Sequence, residues 1–133
     1  MGPTTCFDDF EVKFKDTFRT IFGGDGTGQY GLISPVSIFN ETYRIYFNFE
    51  VGLLQRYSLE LISGIAKKQI NDYPEYWELQ KEIQYLFTIY KLEFKGDFLD
   101  EFEWRKLWKY NWGRIALTQI AHSYRVVTDI LWE

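Results

Sequence analysis

One cysteine and one histidine are all that this 133-residue chain has of those types, and each scarcity closes a route. A lone Cys6 excludes an internal disulfide framework. With His122 the only imidazole, the Cys/His sets that build structural zinc sites cannot be assembled, and no metal or other cofactor is expected. No uninterrupted apolar run approaches the roughly 18 to 20 residues of a membrane-spanning helix. The opening "MGPTTCFDDF" has no basic segment followed by an apolar stretch, so a cytoplasmic protein with no membrane contact is expected. It begins Met-Gly, but Cys6 stands where the myristoylation pattern requires Ser or Thr.

A basic block is missing as well. The net charge is −4, residues 1–52 sum to −3, residues 53–95 balance, and residues 96–133 sum to −1. No third of the chain has the positive excess of a nucleic-acid footprint, so direct nucleic-acid binding is not expected. What the chain does have is aromatic side chains, 20% of its residues, alongside many Leu, Ile and Val. That is enough apolar material for one core, so a single domain over residues 1–133 is expected.

Periodicity then suggests elements. Phe7, Phe10, Phe14, Phe18 and Ile21 recur at three- and four-residue steps and predict an amphipathic helix over 7–22. The run "GGDGTGQYG", residues 23–31, ends it. β-Branched and aromatic residues from Val36 to Val51 predict a strand at 43–51 and a hairpin partner near 32–39. Further helices are predicted over 54–70, over 74–94 where Tyr76, Leu79, Ile83, Leu86, Phe87, Tyr90 and Phe94 share one arc, over 97–112, and over 114–131. The fold class expected is α+β and predominantly helical: four or five amphipathic helices with a small antiparallel hairpin near residues 32–51.

Candidate sites divide between bland and functional readings. Gly26, Gly28 and Gly31 form a G-x-G-x-x-G, but it follows a predicted helix and leads into a strand, the reverse of a dinucleotide site, so a connector is expected. His122 adjoins Ser123, and on a helix those side chains would diverge by about 100°. Asp129 would lie two turns away, so no local triad forms. The acidic clusters "FDDFE" and "GDFLDEFE" fall in predicted first turns, where carboxylates complement the helix dipole. Trp104, Trp108 and Trp112, four residues apart, are expected on one helical side and mostly in the core. The feature least covered by a bland reading is one flank of helix 74–94, where Glu75, Glu78, Glu82 and Glu93 surround Tyr85 and Ile89. An acidic strip with an aromatic and an aliphatic in it is a candidate partner-binding surface.

In size, acidity, aromatic content and lack of a catalytic motif, the chain resembles the immunity proteins of bacterial toxin systems. The resemblance implies a non-catalytic protein that occludes a cognate toxin domain, often a nuclease, through an acidic and aromatic surface, with a basic toxin domain as partner. Two other classes stay open: a small-molecule or lipid binder with an aromatic-lined pocket, and an enzyme with a dispersed site. A homodimer is also compatible with the sequence.

Overall fold

The computed structural model describes residues 5–24, 26–62, 76–102, 104–120 and 125–132. Two helices are present among these residues, α1 (Phe7–Lys13) and α2 (Tyr76–Glu93). Nine strands accompany them among the described residues: β1 (Phe18–Gly24), β2 (Thr27–Leu32), β3 (Val36–Ile38), β4 (Glu41–Glu50), β5 (Leu53–Leu61), β6 (Asp97–Phe102), β7 (Arg105–Tyr110), β8 (Gly113–Ile120) and β9 (Arg125–Trp132). They form one antiparallel sheet in the order β1-β2-β4-β5-β9-β8-β7-β6, with short β3 pairing beside the start of β4. The architecture is therefore mainly β, and the expectation of four or five helices is overturned.

The physical reason lies in the spacings. Four residues is both one helical turn and two full strand periods, so Trp104 and Trp108 share a side in either element. In the fold they lie at and within β7, and Trp112 sits in the turn before β8. Likewise Ile115 and Leu117 face the core from β8, and Val126 and Ile130 from β9, where a helix had been expected over 114–131. The predicted helix 54–70 is strand through Leu61, and its remainder from residue 63 lies outside the described residues. The predicted helix 7–22 is helical only to Lys13; its chain turns at Phe14–Thr17 and leaves as β1. Its phenylalanines still meet, with Phe10 ring centroids 5.1 Å from Phe14 and 5.0 Å from Phe18. Helix 74–94 appears as α2, and the strand at 43–51 as β4.

Two meanders, β1–β5 and β6–β9, are joined where β5 pairs with β9, through partners such as Ser58 with Asp129. Both helices cover the same sheet face. Phe10 of α1 packs against Tyr30, Phe47, Phe49 and Leu54 at one end. Leu79, Ile83, Leu86 and Tyr90 of α2 pack against Tyr43, Leu59, Leu61, Trp108, Ile115, Leu117, Val126 and Ile130 at the other. Burial of so many large apolar side chains on one face supplies the dominant stabilising term, roughly 25 cal/mol per Å² removed from water. Tyr90 ties helix to sheet, its hydroxyl 2.8 Å from that of Thr128 and 3.2 Å from that of Tyr43.

Candidate binding face

Since α1 and α2 both pack on one face, neither covers the other, and the chemistry of that second face follows from strand parity. Cross-strand partners share a face, so the pairings can be read across the sheet as rows. One row runs Arg19, Gly31, Tyr46, Ser58, Asp129, Ala116, Leu107, Leu99. The row on one side of it runs Gln29, Asn48, Arg56, Leu131, Arg114, Lys109, Asp97. On the other side lie Arg44 opposite Glu60, and Thr118 opposite Arg105, with Arg125 beyond. All six arginines of the chain, Arg19, Arg44, Arg56, Arg105, Arg114 and Arg125, thus project from the face opposite α1 and α2. Carboxylates on described positions of that face are fewer: Glu50, Glu60, Asp97 and Asp129.

The middle of the face is small and dry while its flanks are long and charged. Ser58 and Ala116 are buried at 6% and 3% exposure although neither helix reaches them. Ser58 donates a hydrogen bond to Asp129. Glu60, also buried, accepts from the Arg125 guanidinium, which lies 5.7 Å from the centre of the Tyr46 ring. Held between a carboxylate and an aromatic face, Arg125 is fixed in the way planar guanidinium favours. Arg19, Arg44 and Arg56 are exposed and have no ion pair or hydrogen bond among the described residues. The result is a face with a buried centre and exposed cations on its flanks. It can accept anionic groups through paired N–H donors, and it has no aromatic-lined cavity deep enough to enclose a lipid chain among the cavities described.

The acidic strip anticipated on α2 lies on the helical side and is divided. Glu82 falls on the same stripe as Leu79, Ile83 and Leu86 and is buried, and Ile89 is half-buried against the core. Glu78 is half-buried and Glu93 exposed. Tyr85 is 48% exposed, and its hydroxyl donates to Glu41 of β4, which raises the phenol's pKa above its ordinary value. Glu75 lies outside the described residues, as does His122. Of the tryptophans, Trp108 is 2% exposed, while Trp104 and Trp112, at 39% and 41%, stack on Phe102 and Tyr110 at the surface. The expectation of a ridge mostly in the core therefore holds for Trp108 alone. Gly28 and Gly31 lie within β2, and Gly26 in the turn leading into it, so the glycine run is mostly hairpin rather than connector.

No three or more His, Cys, Asp or Glu side chains among the described residues are placed to hold a metal ion. No helix there is long and apolar enough to cross a membrane. The chain matches no protein-family model, no curated protein and no solved structure.

The arginine face escaped the sequence reading because it depends on knowing the strands. One signal was available: Arg19, Arg44, Arg56, Arg105, Arg114 and Arg125 each adjoin β-branched or aromatic residues, the setting of strand positions.

Proposed function

We propose that the chain is a cytoplasmic, non-catalytic protein-binding module of the inhibitor or immunity type, and that its contact surface is the arginine face. The observation that carries this reading is the segregation of every arginine to the sheet face opposite α1 and α2. A face kept only for solubility would draw mainly on lysine, the more strongly hydrated cation. Among the described residues one lysine, Lys109, accompanies the six arginines on this face. Arginine is enriched at protein interfaces because its fork engages carboxylates bidentately and desolvates at less cost. Fixed Arg125 and buried Ser58, Ala116 and Val127 give the centre rigidity, so little ordering entropy opposes docking. The partner suited to this surface presents an acidic patch, in place of the basic toxin domain expected from overall charge.

The test is capture of partners from the source cell on the immobilised chain, followed by measured affinity of the recovered protein. Arg56 and Lys109 are exposed, so Arg56→Glu with Lys109→Glu reverses the rim without touching the core. Affinity should fall at least about tenfold, mainly through slower association. The reference is Glu78→Lys with Glu93→Lys on α2, which should leave affinity within about twofold, as charges remote from a contact do. The reverse ranking of the two variants would move the contact to the helical side.

A further inference from the structure

At the β1 end of the arginine face lies a cavity of about 220 Å³. Arg19 of β1 and Arg44 and Tyr46 of β4 form its polar walls, Leu32, Ile33 and Pro35 its apolar rim, and Ile62 closes it. In the row Arg19, Gly31, Tyr46 the middle residue has no side chain, and a Cβ there would meet the Tyr46 ring at 3.2 Å and Ile21 at 3.4 Å. The Tyr46 ring lies over Gly31, and Arg19 and Arg44 border the cavity from the same face of the sheet. Both guanidiniums lack an ion pair or hydrogen bond among the described residues. Glu60, the cross-strand neighbour of Arg44, is bound to Arg125. Among the described residues no carboxylate lines this cavity, whereas the other cavities described contain Glu50, Glu11 with Asp16, or Asp8.

We infer that this cavity binds a phosphate monoester borne on a compact apolar or aromatic body, an assignment that rests on the arginine face being the recognition surface. Two unpaired guanidiniums call for a ligand with more than one negative charge, and a phosphate monoester carries about −1.5 to −2 at neutral pH. Its three terminal oxygens can each accept from the arginine forks, with the Tyr46 hydroxyl as a further donor. Leu32, Ile33, Pro35 and Ile62 contact the ligand's body and thin the water around the ion pairs, which strengthens them. The same group can come as a free small ester or as a phosphorylated tyrosine of a partner protein.

The experiment titrates phenyl phosphate into the full chain by calorimetry and by amide chemical-shift mapping, with benzyl alcohol as the uncharged analogue and a single-phosphotyrosine peptide as the second source. Phenyl phosphate should shift amides of β1, β2 and β4 and bind at least about tenfold more weakly to Arg19→Gln and to Arg44→Gln, each of which removes a charge-assisted contact. Both positions are exposed, so these variants keep the fold. Binding should also weaken as pH falls from about 7 to about 5, because the second phosphate ionisation lies near 6. A peptide that binds more tightly than phenyl phosphate assigns the site to a phosphoprotein, and the reverse order assigns it to a free ester. Phenyl phosphate that fails to bind, binds the double Arg19→Gln, Arg44→Gln variant equally well, or is matched by benzyl alcohol overturns the site. If that happens while Arg56→Glu with Lys109→Glu still loses its partner, the cavity assignment alone has failed. If phenyl phosphate binds as described but no partner depends on Arg56 and Lys109, the protein-docking reading has failed and the cavity stands.

Discussion

At the scale of single residues, the sheet places Val51 under strain. Val51 and Gly52 form the two-residue turn between β4 and β5, with φ of 49° and 79°. Positive φ at both centres is the type I′ hairpin turn, whose twist matches that of the flanking strands and which favours Asn-Gly. Glycine meets that demand at the second position, whereas valine at the first sets a β-branched side chain in the left-handed region, at a cost of about 1–2 kcal/mol. Its side chain is 85% exposed, so no packing offsets the cost. Val51→Asn should therefore raise stability by about 1 kcal/mol in chemical denaturation. The hydrogen bond from its backbone N–H to the Thr27 hydroxyl does not depend on the side chain. An unchanged or lower midpoint would show that the turn relaxes elsewhere.

At the scale of elements, legibility followed the uniqueness of the pattern. α2 was readable because Leu79, Ile83, Leu86 and Tyr90 rise by four, three and four, which a period of two cannot place on one face. β4 was readable because Tyr43, Ile45, Phe47 and Phe49 alternate without interruption. The C-terminal half was misread because Trp104 to Trp108 is commensurate with both periods. Buried residues on both faces of β8 and β9, such as Ala116 and Val127, further blurred the alternation. The signal to weigh more heavily was the β-branched content of Ile115, Thr118, Ile120, Val126, Val127, Thr128 and Ile130. α2 is held to these strands at Tyr90. Burial is the main cause that pushes its phenol pKa far above the ordinary value, and burial likewise raises Tyr43 and Tyr57. A raised native pKa means the unfolded chain loses the proton first. These groups' contribution to stability is thus fully present below about pH 10 and declines as pH climbs from there towards the native values. Alkaline unfolding should coincide with a step in phenolate absorbance, and Tyr90→Phe should shrink that step while costing about 1–2 kcal/mol near neutrality for the lost hydrogen bonds. A gradual rise in absorbance without unfolding would contradict the burial of these phenols.

At the scale of the whole molecule, the chain is acidic in sum and two-sided in distribution. Charge tallied along the chain could not reveal this, since successive strand residues face opposite ways and the arginines are spread from β1 to β9. On the helical side α1 sums to −2, Asp8, Asp9 and Glu11 against Lys13, and α2 to −1, Glu78, Glu82 and Glu93 against Lys81 and Lys91. A helix packed on a sheet separates the two sides by about 10 Å or more, comparable to the Debye length at about 0.1 M salt. A polyanion such as heparin approaching the arginine face at that ionic strength meets mainly cations, because the carboxylates beyond the sheet are screened. At about 0.01 M the screening length grows to about 30 Å, and the polymer then also senses the net charge of −4. Above about 0.5 M even the near arginines are screened. Affinity for heparin at pH 7 should therefore pass through a maximum at intermediate salt, although the sequence pI is about 5.1. Arg56→Glu with Lys109→Glu should flatten that maximum, and Glu78→Lys with Glu93→Lys should raise the low-salt limb. No measurable heparin binding at any salt concentration would remove the charge segregation as a recognition device, and with it the principal support for docking through the sheet.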